Sequence, residues 1–358
     1  MMRTVAFLVV GLIAVVGILL FLTLERTDDG FAPPDSGDQP ISSQRPPIID
    51  MHLHAIEVDS FGPPPQTICA SVNTFLAWDP LDSYPTVFSQ YGADPGCGNV
   101  LVSPMTNEEV MRETLEVLER RNIIGVTSGP LEFVERWAEA APDRIIRGLQ
   151  FRLYEGAPNP ETIRRWHDEG KVAVLAEVTN QYLGVEPDDP RFEPYLAMAE
   201  EIDMPVGIHI GTGPPGAPYL GSVDYRARMH SPLSLEEPLL KHQKLRVYVM
   251  HAGWPMLDDT LALMWTHPQV YVEVGAIDYA LPRAEFHRYL RRLVDSGFGN
   301  RVMFGSDQMI WPGAIEHAIE SIESADFLTE EQKRDIFYNN AARFLRLSDE
   351  EVAGHHGR

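Results

Sequence analysis

The stretch Ile48–His54 (IIDMHLH) is an apolar run that ends in two histidines separated by one residue. Its length and its isoleucines are typical of a buried strand. Side chains two residues apart on a strand point the same way, so His52 and His54 can face one point. The stretch therefore predicts a first strand that delivers two imidazoles to the same place.

Seven more apolar runs follow this strand, and patterns typical of amphipathic helices separate them. Strands are predicted over residues 48–51, 123–127, 145–151, 172–178, 206–210, 246–250, 270–274 and 302–305. Helices are predicted over residues 106–121, 131–140, 160–169, 190–202, 233–241, 257–266, 283–293 and 314–324, with one or two more over 328–347. Strands that alternate with helices pair in parallel, and eight such units predict an α/β fold of the (β/α)₈ TIM-barrel type. A doubly wound open sheet is the alternative, but its glycine fingerprint does not follow the first strand.

The longest connection, residues 57–103, separates the first strand from its helix. Connections of this length are usually functional, and over a barrel this one would form a lid. Both cysteines of the chain, Cys69 and Cys97, fall within it. In an exported protein a disulfide between them is favoured, and two buried free thiols are the alternative.

The N-terminus carries a long apolar run, residues 5–24, which contains no charged side chain. About 20 such residues suffice for a transmembrane helix. We expect a transmembrane anchor or a cleaved signal segment within residues 1–25, with a buried core helix as the remaining alternative. Residues 26–47 predict a flexible linker, residues 48–347 the barrel, and residues 348–358 a disordered tail. The expected location is membrane-anchored facing the periplasm or the extracellular side, or secreted.

The charge of the chain limits its partners. With 29 Lys+Arg against 52 Asp+Glu, the formal net charge is −23. Nucleic acid is therefore excluded as an expected partner, since phosphate binding requires a basic face. Anionic lipid would not attract this surface either, so membrane contact is expected through the N-terminal segment only. A small-molecule substrate remains the expected partner, and a homodimer is compatible with these features.

Polar residues stand at the ends of several predicted strands. The active sites of barrels lie at the C-terminal ends of the strands, where such residues converge. Imidazole and carboxylate groups together suit Zn²⁺ and neighbouring divalent metals. We expect one or two divalent ions, with zinc first and manganese or iron as alternatives. The candidate ligands are His52, His54, Glu177, His209, His251 and Asp307.

Other residues near strand ends are weaker candidates for contact with a substrate. Arg152 could bind a carboxylate or lie on the surface, and aromatic residues could line an apolar pocket. Glu273 could orient a ligand or face outward. The candidates for substrate contact are Arg152, Tyr182, Trp254 and Trp311. The remaining histidines are expected on the solvated surface, namely His167, His230, His242, His267, His287, His317, His355 and His356.

The motifs at the strand ends resemble those of the amidohydrolase superfamily, within it the amidohydrolase-related (amidohydrolase 2) group. The resemblance spans residues 48–347. It is carried by IIDMHLH at the first strand, PVGIHIGTGPPG at the fifth, VMHAGWP at the sixth, MFGSDQMIWP at the eighth, and YNNAARFLRL near the C-terminus.

The resemblance implies a role for each ligand. His52, His54 and Asp307 would bind the first metal, and His209 would complete that site or bind a second metal. His251 would be a second-metal ligand or a free imidazole that polarises the substrate. Many binuclear members bridge their metals with a carboxylated lysine from the fourth strand. This chain has Glu177 there, which could bridge two metals or orient a histidine.

The implied function is that of a metal-dependent hydrolase acting on an amide, lactone or ester. In this reaction Asp307 would carry the proton and His251 would stabilise the developing oxyanion. A metal-dependent non-oxidative decarboxylase on the same scaffold is the alternative. A binding protein that has lost turnover is a different functional class, and the intact set of ligands speaks against it. A purely structural scaffold is a third class, which predicts no metal and tolerance of His52→Ala.

Overall fold

The computed structural model describes residues 45–93, 96–211 and 213–357. The predicted anchor and all but the last residues of the predicted linker lie outside this part of the chain. Within the described residues, no helix combines the length and the apolar character that spanning a membrane requires. The prediction of a membrane-anchored or secreted location is corrected accordingly, because no spanning helix supports it.

In the described part of the chain, eight parallel strands form the centre of the fold, at the places where the apolar runs predicted them. They are β1 (Ile48–His54), β4 (Ile123–Ser128), β5 (Ile145–Arg147), β6 (Leu175–Val178), β7 (Val206–His209), β8 (Val247–Met250), β9 (Tyr271–Glu273) and β10 (Val302–Met303); the short strands β2 (Thr67–Cys69) and β3 (Val100–Val102) pair separately. Nearly all residues of the eight strands are buried, as expected for parallel strands covered on both faces.

The eight strands follow one another around a ring in chain order. One sheet has the order β1-β4-β5 and the other β10-β9-β8-β7-β6. A parallel bridge between Phe151 and Val178 joins β5 to β6. At the other seam, the Met51 N–H donates to the Phe304 carbonyl over 2.9 Å. These links give the arrangement of a (β/α)₈ barrel and bring the C-terminal ends of all eight strands to one side.

Helices follow the strands and cover them. They are α1 (Tyr84–Ala93), α2 (Asn107–Arg121), α3 (Leu131–Ala140), α4 (Pro160–Asp168), α5 (Glu193–Glu201), α6 (Glu236–Lys241), α7 (Leu257–Thr266), α8 (Ile277–Ala280), α9 (Arg283–Leu293), α10 (Gly313–Glu323), α11 (Glu330–Arg334), α12 (Asn340–Leu345) and α13 (Asp349–His356). Thr106 and Glu109 form a capping box at the start of α2, as their spacing predicts.

The insertion, residues 57–103, carries secondary structure of its own. It contains α1 and the antiparallel pair β2–β3, and a disulfide joins Cys69 to Cys97 with their Cα atoms 6.1 Å apart. The Val72 N–H donates to the Ala280 carbonyl over 3.0 Å, in the segment that follows β9. The insertion therefore packs on the side of the barrel where the strands end.

The C-terminal segment differs from the disordered tail that the sequence predicted. Residues 349–356 form α13, which begins with a capping box between Ser348 and Glu351. The helix is held to the barrel, because Tyr338 Oη lies 3.0 Å from Nδ1 of His355. Its polar composition favoured disorder, whereas the cap and this buried contact give it a fixed place.

Candidate metal centre

Four side chains from three strand ends converge on a first cluster. His52 and His54 both extend from β1, and their Nε2 atoms lie 3.0 Å apart. Asp307, which follows β10, places Oδ1 3.0 Å from His54 Nε2 and 3.5 Å from His52 Nε2. Oε2 of Glu177 on β6 lies 3.7 Å from His54 Nε2. The two-residue spacing on β1 thus brings both imidazoles to one point, as the sequence predicts.

A second cluster lies on the other side of Glu177. Its Oε1 atom lies 2.5 Å from Nδ1 of His209, the last residue of β7. His251, which follows β8, places Nε2 3.0 Å from that Nδ1 and 3.7 Å from Glu177 Oε1. One oxygen of Glu177 therefore faces the β1 histidines, and the other faces His209 and His251.

The tautomer of His251 follows from its backbone contact. Its Nδ1 lies 2.8 Å from the Gly275 carbonyl, which can only accept a hydrogen bond. Nδ1 therefore carries a proton, and in the neutral ring Nε2 presents a lone pair to the second cluster. This orientation favours the role of a metal ligand over that of a hydrogen-bond donor to an oxyanion.

Buried polar groups hold the two β1 histidines in place. Asp50 accepts from the backbone N–H groups of His52 and Ser306, over 2.9 and 3.0 Å. Gln308 accepts from the His54 N–H over 2.8 Å and donates to the His54 carbonyl over 2.7 Å. We did not predict either role. The sequence does indicate that Asp50 lies near the ligands, because Asp50, His52 and His54 occupy alternate positions of one strand.

The buried carboxylates and imidazoles of the centre shift one another's pKa values. Burial raises the pKa of Glu177 and of Asp307, but the imidazoles beside them outweigh burial and hold both pKa values below the usual range. Burial lowers the pKa of His52, yet the charges of Asp307 and Glu273 raise it to about 10. Both carboxylates therefore stay ionised, which favours a cation beside them. Without a metal, the protonated, positively charged ring of His52 is such a cation.

The residues present fit a divalent metal ion. Metal–ligand distances of about 2.0–2.2 Å place neighbouring ligand atoms roughly 3 Å apart, as in the first cluster. The Asp307 Oδ1 atom is buried and accepts no hydrogen bond of ordinary geometry. Three sets of ligand atoms lie close enough together to bind an ion, namely His52, His54 and Glu177; Glu177, His209 and His251; and His52, His251 and Glu273. Imidazole and carboxylate are the donors that zinc, manganese and iron accept.

Of the candidates for substrate contact, Tyr182 and Arg152 lie beside the centre. The Tyr182 ring follows β6, and its centroid is 5.0 Å from that of His209. Arg152 places its guanidinium 5.6 Å from the centroid of the Tyr182 ring and donates to Thr179 Oγ1. A Cβ atom at Gly213 would overlap the Tyr182 hydroxyl, so this glycine leaves the space that the tyrosine occupies.

The rings of the two tryptophans lie against the insertion. Trp311 stacks on Phe61 at 5.6 Å between ring centroids, and its Nε1–H donates to the Gln66 carbonyl. Trp254 lies 6.5 Å from Phe75 and donates to Glu285. The structure therefore places their rings where the insertion meets the barrel. Trp254 contacts a proposed ligand through its backbone, whose N–H donates to the His251 carbonyl over 3.0 Å.

Several histidines expected on the surface are buried instead. His230 is fully buried, with its ring 4.4 Å from that of Tyr225 and 5.7 Å from that of His209. Burial and the neighbouring imidazoles lower the pKa of His230 to about 3, so its ring is neutral at pH 7. Three more are buried away from the centre: His242, His267 and His355. Each lies in a loop or helix end, where sequence patterns do not report burial.

The family follows from comparison with known proteins. The family model described as Amidohydrolase matches residues 49–347. The chain belongs to this amidohydrolase family. The resemblance seen in its strand-end motifs is thereby confirmed over almost the predicted span. A search of curated proteins found no match.

Solved structures with the same fold are distant in sequence. An uncharacterized TIM-barrel protein from Bordetella bronchiseptica is 18% identical with a TM-score of 0.55, covering 87% of this chain and 99% of that one. A probable 2-pyrone-4,6-dicarboxylic acid hydrolase from Acinetobacter baumannii is 14% identical with a TM-score of 0.52, covering 84% and 99%. A dihydroxybenzoic acid decarboxylase from Polaromonas, solved with manganese and 2-nitroresorcinol, is 12% identical with a TM-score of 0.52, covering 86% and 99%. These likenesses support the TIM-barrel fold.

Proposed function

We propose that this amidohydrolase hydrolyses an amide, lactone or ester and that Asp307 carries the proton. The observation behind the proposal is the position of Glu177, whose two oxygens face two separate pairs of histidines. A carboxylate arranged in this way could contact two metal ions, one through each oxygen. Zinc is the expected metal, with manganese and iron as alternatives.

The proposed ligands divide between the two clusters. His52, His54 and Asp307 would hold one ion, His209 and His251 would hold the other, and Glu177 would contact both. A divalent cation in such a site supplies a water of lowered pKa and polarises a carbonyl oxygen.

The side chains of the centre then have separate tasks. Asp307 accepts the proton of the attacking water and donates it to the leaving group. Tyr182 is a hydrogen-bond donor beside His209, because burial holds the pKa of its hydroxyl well above the usual range and keeps it protonated. His251 presents Nε2 as a ligand while its Nδ1 proton stays on the Gly275 carbonyl. The two roles exclude each other, so His251 would donate to the oxyanion only if its Nε2 carried a proton and bound no metal.

The test combines a panel of lactones, aryl esters and amides with the variant Asp307→Asn. With a substrate that the wild type turns over, loss of the proton carrier should lower kcat by about 10²–10⁴-fold. Near-normal turnover would remove Asp307 from this role.

The decarboxylase alternative would use the same ligand residues. Isotope-labelled water and CO₂ release distinguish it from hydrolysis. Hydrolysis in ¹⁸O-labelled water places the label in the product. Release of CO₂ from an aromatic carboxylate, without incorporation of the label, would replace the hydrolase proposal with a decarboxylase.

A further inference from the structure

Glu273, the last residue of β9, is a fully buried carboxylate that faces three N–H groups. Its Oε1 atom lies 3.0 Å from Nδ1 of His52 and accepts from the backbone N–H of His251 over 2.9 Å. Its Oε2 atom accepts from the Gly275 N–H over 2.5 Å. One side chain therefore contacts the ends of β1, β8 and β9.

The contact with His52 determines which ring nitrogen faces the metal centre. A carboxylate can only accept, so the proton on Nδ1 of His52 stays directed at Glu273. Nε2, on the opposite side of the ring, faces His54 Nε2 at 3.0 Å and Asp307 Oδ1 at 3.5 Å. Carboxylates that fix a metal-binding histidine in this way are a common way to orient the ring.

The contact with His251 holds a strained turn. His251 and Ala252 have φ values of 58° and 48°, in the left-handed region that residues with side chains rarely adopt. The hydrogen bond from the His251 N–H to Glu273 holds the start of this turn. The His251 ring bonds to the carbonyl of Gly275, whose own N–H is also bound by Glu273.

The space around the carboxylate is kept free by glycine. A Cβ atom at Gly275 would lie 2.7 Å from Glu273 Oε2, and a Cβ atom at Gly305 would overlap the same oxygen. All three neighbouring N–H groups are directed at the carboxylate. Glu273 lies close enough to His52 and His251 for the three to bind an ion. Both of its oxygens are engaged with N–H groups, however, which favours a positioning role over that of a ligand.

We propose that Glu273 is a positioning residue for both clusters. It keeps Nε2 of His52 available to the first cluster, and it holds the turn that presents His251 to the second. The proposal rests on the metal-dependent function proposed above, and it predicts that Glu273 sets the affinity of the centre for cations.

Titration of the metal-depleted full chain with Co²⁺ against a competing chelator tests this role. Glu273→Gln keeps the size of the side chain but replaces one acceptor by a donor, so at least one of the three contacts is lost. The expected result is a Kd for Co²⁺ that is about 10–100-fold higher than in the wild type. The control Glu316→Gln alters a carboxylate on the outer helix α10 and should leave the Kd unchanged. Wild-type affinity in Glu273→Gln would overturn the proposal.

The imidazole N–H signals of metal-free, ¹⁵N-histidine-labelled protein give an independent readout. We expect a slowly exchanging Nδ1 proton on His52, identified by its absence in His52→Ala, and its faster exchange in Glu273→Gln, because a neutral amide oxygen is a weaker acceptor than a carboxylate. This measurement on the wild type decides the inference even where Glu273→Gln does not fold, because a proton found only on Nε2 would overturn it. A wild type that binds no Co²⁺ contradicts the proposed function instead, while the NMR result still decides the role of Glu273.

Discussion

The disulfide in the insertion predicts a measurable link between a covalent bond and access to the metal centre. Cys69 and Cys97 are 28 residues apart in the sequence and close the loop between them at its base. That loop reaches the segment after β7, where the Tyr84 hydroxyl donates to the Pro215 carbonyl over 2.5 Å. Opening the bond should loosen the part of the insertion that lies over the strand ends.

The size of the effect on stability follows from the length of the loop. In the chain-entropy model, a closed loop of 28 residues contributes about 3.5 kcal/mol at 25 °C by restricting the unfolded chain. The unfolding entropy of a barrel of about 300 residues is roughly 0.6 kcal/mol/K, so breaking the bond should lower Tm by about 5–6 °C.

Two assays on the full chain check this prediction. Thermal unfolding of wild type and Cys97→Ser measures the change in Tm, and the release of bound zinc to a chromogenic chelator measures access. Cys97→Ser should show the lower Tm and release zinc faster. A reductant should lower the Tm and speed zinc release in the wild type, and it should change neither in Cys97→Ser. The variant thus controls for effects of the reductant other than opening this disulfide. Equal Tm values and equal release rates would refute the reasoning.

Two further predictions concern Tyr182 and Glu316. Tyr182→Phe removes a hydrogen-bond donor near a charged centre and should lower kcat/KM by about tenfold or more while the metal content stays the same. Unchanged kcat/KM with an identified substrate would show that the hydroxyl does not contact it. Burial raises the pKa of Glu316, but hydrogen bonds from Arg120 and Arg121 outweigh burial and lower it. Its stabilising effect is therefore present above the unfolded pKa and lost as pH falls through the folded pKa. Glu316→Gln should cost about 0.5 kcal/mol in urea unfolding at pH 7 and progressively less as the pH is lowered. An equal cost at every pH would contradict the ion-pair explanation.

The fold could be predicted from the sequence because each barrel strand is short, apolar and buried on both faces. The runs at residues 206–210 and 246–250 coincide almost completely with β7 and β8. Helices α3 and α7 occupy the predicted ranges, since their apolar residues recur at helical spacing. The tail was mispredicted even though its capping box is visible at Ser348 and Glu351.

The metal ligands could be predicted because strand ends in a barrel lie together, which reduces the question to which residues end each strand. The contacts that support these ligands could be predicted only in part, since Glu273 was expected either to orient a ligand or to face outward. Glu273 is 221 residues from His52 and meets it only once the ring closes. The burial of His230 depends on a loop that folds back over β7, and local sequence gives no sign of that path.

The central claim is that Glu177 lies between two cation sites. The most direct test is the metal content of the full chain purified without chelator, measured beside His52→Ala. We expect about two equivalents of divalent metal in the wild type and the loss of at least one in the variant. An absence of metal in both proteins, even after addition of Zn²⁺ or Mn²⁺, would contradict the assignment of these ligands.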